Sequence, residues 1–275
     1  MTGRLVGVWR YPVKSLLGEA LLASEVDPAG LTGDRALALL DGVTGRVASA
    51  KQPRHWRSLL TMRAAGAAPG PVRITLPDGG EVSSAHADVD AALSAVVGRP
   101  VTLVDVVPPG ATLLRAHPDA VLAAGVAAEV PADESRLGAV VPGTFFDFAP
   151  VHLVTTATLD RIAAALPTDA GTVDRYRPNL VLDTPADAFA ENGWVGRELR
   201  IGRELVLVVL APRPRCAVPT LAHGTLPRET DALRVPARLN RVEPLPGLGP
   251  QPCVGAYARV VRAGRVELGD AVTLD

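Results

Sequence analysis

Cys216 stands in the segment Pro212-Arg213-Pro214-Arg215-Cys216-Ala217-Val218-Pro219-Thr220, directly after a long apolar run. A thiol close to two guanidinium groups favours its thiolate, the form that ligates soft metals or attacks sulfur. Burial as a small hydrophobe is the alternative for Cys216, and it is the better reading of Cys253, which lacks charged neighbours. Lys14-Ser15 sets an ammonium beside a hydroxyl, a pair that suits phosphate because one group supplies charge and the other a directed donor; an exposed turn lysine is the plainer alternative. Arg35 offers a bidentate fork to an oxyanion with Asp34 orienting it, unless the Asp34-Arg35 pair only braces a turn. Arg177 and Asn179 lie two apart around Pro178, which favours an extended Arg177 and so places both side chains on one face. Polar groups also gather at Ser49-Ala50-Lys51 and at Arg54-His55-Trp56, where His55 reads either as a base or as a structural histidine.

These groups need elements to hold them, and the patterning supplies mostly strands. Leu5–Trp9, Ala36–Leu40, Val72–Leu76 and Glu81–Val82 are short apolar or alternating runs, with the turn Asp78-Gly79-Gly80 between the last two. Asp88 to Val97 predicts one helix. Residues 105–143 carry Pro108-Pro109-Gly110, Pro118, Pro131 and Pro142-Gly143 and predict a loosely structured connection. Strands are expected again at Val151–Val154, Leu180–Leu182, Glu204–Leu210, Ala256–Val261 and Arg265–Leu268, with a helix through Leu166 capped by Thr156 or Thr158.

Composition bounds the function. The 275 residues, 48% of them hydrophobic, carry enough apolar surface to exclude a disordered chain. A net charge of −1 argues against a dedicated nucleic-acid binder. Two cysteines exclude zinc-ribbon and disulfide-framework readings. Arg4, Arg10 and Lys14 interrupt any signal-peptide core, and no apolar run is long enough for a membrane span, so a soluble cytoplasmic protein is expected. Among 28 basic residues only Lys14 and Lys51 are lysine, which a coding bias towards arginine explains.

In order along the chain, Tyr-Pro-Val-Lys-Ser at 11–15, Gly-Leu-Thr-Gly-Asp-Arg at 30–35, Ser-Ala-Lys at 49–51, Tyr-Arg-Pro-Asn at 176–179, Arg-Cys at 215–216, Gly-Ala-Tyr-Ala at 255–258 and Gly-Arg-Val-Glu-Leu-Gly-Asp at 264–270 resemble the MOSC superfamily with its N-terminal β-barrel domain. That group contains the amidoxime-reducing component and the C-terminal domain of molybdenum cofactor sulfurase. The resemblance implies a mainly β, α+β chain: a small N-terminal β-barrel domain over 1–104 and a MOSC β-barrel domain over 105–275. It implies molybdenum-molybdopterin as cofactor and Cys216 as thiolate ligand to the metal. Lys14, Ser15, Arg35, Arg177, Asn179 and Arg215 would contact the pterin cofactor, with Thr155, Thr156 and Tyr257 matching further cleft positions. The implied activity is reduction of a small N-hydroxylated substrate with electrons from an external electron-transfer protein. Ala217 to Gly224 departs from the acidic run of the amidoxime-reducing members, and His223 is a candidate replacement proton donor. A Cys216 persulfide carrier, with sulfur stabilised by Arg213 and Arg215, and a cofactor-carrier protein are the other readings.

Overall fold

The structure, a computed structural model, describes residues 1–67, 70–166 and 172–275. It is mostly β, and its centre is a closed barrel of seven strands. Numbered in chain order these are β1 (Thr2–Arg10), β2 (Val151–Thr155), β3 (Leu180–Asp183), β4 (Glu198–Ile201), β5 (Leu205–Pro214), β6 (Gln251–Arg262) and β7 (Ala271–Leu274). They run around the barrel as β2-β3-β1-β7-β4-β5-β6 and close where β6 pairs β2. Every barrel pairing is antiparallel except β2 with β3, which are joined through the helix Thr156–Ala163.

The barrel interior explains its sequence pattern. Leu5, Leu153, Leu180, Leu182, Leu199, Leu207 and Val272 form one buried cluster, and most alternate with outward residues as period-2 strands require. In β1, Leu5 and Val8 both face inward although three residues apart. The register slips between Leu5 and Gly7, and this extra residue restores Val8 to the core face opposite Leu180. β1 lies in the first hundred residues, yet its barrel neighbours are β3 and β7 from the second half of the chain.

The rest of the first hundred residues enclose a second core of Val13, Leu16, Leu39, Trp56, Leu59, Ile74 and Leu93. Around it stand a two-stranded pair (Ala38–Asp41 with Val101–Val104), a meander (Arg63–Ala65, Arg73–Thr75, Glu81–Ser83) and the helix Val89–Val97. Residues 105–143 are more regular than their prolines suggest: Thr112–Ala116 pairs Ala132–Arg136, with the helix Pro118–Ala124 between them. Pro118 sits in the first turn of that helix, where no amide donor is needed, so it starts an element instead of breaking one. No helix among the described residues is long and apolar enough to cross a membrane.

Candidate functional site

Loops from both cores converge on one cleft, about 490 Å3 of space that is partly open to solvent. Lys14 and Ser15 enter it from the turn after β1, and Arg35 from the turn before Ala38–Asp41. Lys51 precedes a short helix at Pro53–Trp56. Arg177 precedes β3, while Arg213, Arg215 and Cys216 lie at and just beyond the end of β5. Six basic side chains line the cleft against one acid, Asp147.

Backbone strain is concentrated there. Of the four described non-glycine residues with positive φ, Ser15 (68°), Arg35 (51°) and Arg177 (55°) all line the cleft. Each such residue costs on the order of 1 kcal/mol or more, and such strain gathers where side chains must be aimed. Arg177 thus departs from the extended state expected before Pro178. Its amide donates to the Val173 carbonyl (2.7 Å), closing the preceding helical turn in a left-handed cap. Consequently Arg177 and Asn179 do not share a face.

The guanidinium groups rest on aromatic faces more than on carboxylates. Tyr11 lies between Arg35 and Arg177, whose guanidinium carbons are 4.8 and 4.2 Å from its ring centre. Arg213 stacks on Tyr257 at 5.1 Å and Arg215 on Tyr176 at 5.3 Å. The chain's three tyrosines all serve this purpose. A ring quadrupole attracts a cation without neutralising it, so the positive potential of the cleft survives. Burial leaves Arg177 Nη1 and Arg215 Nε and Nη1 with no hydrogen-bond partner. Burial also lowers the pKa of Arg177 and of Arg215 to about 10. Unpaired buried donors of this kind are costly and point to an absent acceptor.

Asp147 organises the opposite wall. Its Oδ1 accepts from Lys14 Nζ at 2.8 Å and its Oδ2 from Lys51 Nζ at 2.6 Å, while Lys14 also donates to the Phe145 carbonyl at 2.7 Å. Burial alone would raise the Asp147 pKa, but Lys14, Lys51 and Arg115 hold it well below the usual carboxylate range. Burial lowers Lys14, against the pull of Asp147, and lowers Lys51 to about 7. Two ammonium groups share one carboxylate, so desolvation outweighs pairing at Lys51.

Of the residues singled out in the sequence, Lys14, Ser15, Arg35, Ser49, Ala50, Lys51, Arg177, Arg213, Arg215 and Cys216 meet in this cleft. The others stand elsewhere. Asn179 is buried behind it: its Nδ2 donates to Asp34 Oδ2 (3.0 Å) and the Trp9 carbonyl (3.2 Å), and its Oδ1 accepts from the His152 amide (3.1 Å). Asp34 Oδ1 in turn accepts from the Tyr11 amide (2.7 Å), and Asp34 is ion-paired with Arg35, so Asn179 positions cleft residues without lining the cleft. Thr155 caps the helix Thr156–Ala163 and donates to buried Glu191, and Thr156 donates to Asp183, so neither faces the cleft. Tyr257 supports Arg213 outside the lining. His223 is buried beyond the lining, with Nδ1 against the Leu221 carbonyl at 2.9 Å. Burial brings its pKa down to about 3, which removes it as a proton donor near neutrality. His55 borders a different cavity. Cys253 is buried, and burial raises its pKa to about 12, as a packing role requires. The sequence reading missed Asp147 and buried His152, whose Nδ1 lies 3.1 Å from the Arg177 carbonyl and helps fix that strained residue.

Fold and cleft together define a two-part β protein whose meeting loops present a thiol among six cations, three of which, Arg177, Arg213 and Arg215, have no carboxylate partner among the described residues. Family models described as MOSC N-terminal beta barrel domain and MOSC domain match residues 2–101 and 142–273, and the chain belongs to the MOSC superfamily. No curated protein matches it in sequence. Similar solved structures include the YUAD protein from Bacillus subtilis, at 12% identity, covering 100% of this chain and 96% of that one with a TM-score of 0.44. YiiM from Geobacillus stearothermophilus shares 17% identity over 46% of this chain and 54% of its own, with a TM-score of 0.32.

Proposed function

We propose that the cleft binds a molybdenum-pterin cofactor and that the protein is an oxidoreductase acting on small N-hydroxylated substrates. The observation that carries this reading is the set of orphaned buried donors on Arg177 and Arg215 in one cleft with Cys216. A phosphorylated pterin supplies the missing oxyanion. Cys216 Sγ offers the metal a soft ligand. Among the described residues no cluster of three His, Cys, Asp or Glu side chains can hold a metal, so an ion at Cys216 needs further ligands from a cofactor. The residues present therefore fit the group.

Arg177 and Arg215 would hold the phosphate through their unpartnered donors, and Lys14 and Arg35 would add charge in the same cleft. Bound there, the cofactor supplies two-electron redox chemistry at the metal. Cleavage of one N–O bond to an amine and water consumes two electrons and two protons, and the electrons come from an external electron-transfer protein. Lys51 Nζ is the cleft group suited to hold and release a proton near neutral pH, in the place assigned to His223 from sequence. Asp147 holds that nitrogen in position.

Metal analysis of protein made in a host with an intact molybdenum pathway tests the reading. Stoichiometric molybdenum is expected, and it should be lost in Cys216→Ala. Molybdenum-free protein carrying a cyanide-labile sulfur on Cys216 overturns it in favour of a persulfide carrier.

A further inference from the structure

A second cavity, about 980 Å3 of space partly open to solvent, lies on the far side of the loop that carries Cys216. The two cavities share a wall. Leu60 and Val218 line the cleft, Thr61 and Leu221 line the second cavity, and Leu60, Val218 and Leu221 pack in one cluster with Leu17 and Ala50. On one side of this cavity stand Val96 and Val97 from the end of the helix Val89–Val97, with Val126 and Leu221 completing an apolar surface.

Arg54, Arg57 and Arg228 also line it, and the described lining contains no acidic side chain. Arg54 is engaged with Glu129. Arg57 donates to the Pro53 and Arg54 carbonyls at 3.2 and 2.8 Å, acceptors that leave its charge uncompensated. Neither Arg57 nor Arg228 has an ion-pair partner among the described residues. Ser58 and Thr61 add hydroxyl groups between the charged and apolar parts. An apolar surface bordered by unpaired guanidinium groups complements a ligand that is itself divided in this way.

We propose that this cavity binds a small organic anion with an apolar body, an aryl or alkyl carboxylate or sulfonate, whose acidic group is held at Arg57 and Arg228. The aryl or alkyl part packs on Val96, Val97, Val126 and Leu221. This site is separate from the cofactor cleft and does not depend on the cleft's occupant.

The probe is 8-anilinonaphthalene-1-sulfonate, titrated by fluorescence into the folded full-length protein. Saturable one-to-one binding is expected, weakened at least tenfold in the double variant Arg57→Ala/Arg228→Ala and in Val97→Glu, and unchanged in the cleft variant Arg177→Met. Near-ultraviolet circular dichroism checks that each variant is folded. Wild-type protein alone gives a second test, because uncharged N-phenyl-1-naphthylamine should bind at least tenfold more weakly than the sulfonate. Equal affinity for the two probes, or weakening in Arg177→Met but not in the double variant, overturns the proposal.

Discussion

Replacing Lys51 by methionine should stabilise the cofactor-free protein near neutral pH, and the gain should fade as pH rises. Lys51 is buried, and burial, opposed by Asp147, moves its pKa from 10.5 to about 7. Between those values the unfolded chain carries a proton on this residue that the folded chain lacks, so stability increases with pH by up to ~1.4 kcal/mol per pH unit. Summed over the interval the effect is about 5 kcal/mol. Below the folded pKa Lys51 is charged in both states and the full cost is present; above the unfolded pKa it is neutral in both and the cost is gone. Methionine has a similar length, fills the same space and cannot be protonated. Asp147 keeps its ion pair with Lys14 in the variant. The expected gain at pH 7 is therefore on the order of 3–5 kcal/mol, because the shift is already net of the pairing with Asp147. Urea unfolding of both proteins at several pH values from 7 to 10 measures it. Lys14 titrates in both, so its contribution largely cancels in the difference. Parallel stability curves for wild type and variant would refute the argument.

Three other perturbations follow from described contacts. Gly255→Ala forces a side chain onto a backbone with φ of 71° and into the Leu153 carbonyl, and should cost at least about 2 kcal/mol in denaturant unfolding. Glu191→Ala removes the acceptor of the Thr155 amide and of the Thr155 and Thr158 hydroxyls, and should lower stability by on the order of 3 kcal/mol, read as a lower midpoint of thermal unfolding. Lys14→Met should lower molybdenum content after purification while leaving the fold intact by circular dichroism; unchanged content would remove Lys14 from the cofactor contacts.

The strands were legible because period-2 alternation and turn residues act locally. Asp78-Gly79-Gly80 does link Arg73–Thr75 to Glu81–Ser83, and the helix expected from Asp88 is Val89–Val97. Most of the basic cleft residues were legible as motifs for the same reason, each being a short run at an element's end. Asp147 was not. Its meaning lies in Lys14 and Lys51, which reach it only through the tertiary fold. Arg177 was misplaced because the pre-proline preference for extended backbone yielded to a helix cap held by Val173 and His152. The role of the three tyrosines was hidden in the same way, because Arg177 over Tyr11, Arg213 over Tyr257 and Arg215 over Tyr176 meet only in the fold.

The position of β1 bears on how the protein is made. The end of β1 pairs locally with Glu19–Leu21, but its barrel partners, β3 and β7, come only in the second half of the sequence. During synthesis most of β1 therefore waits unpaired until β3 and β7 have emerged, a period in which holdase chaperones can bind it. Lys14 follows β1 directly, whereas Arg177 and Cys216 stand beside β3 and β5, so the walls of the cleft meet only when that long-range pairing forms.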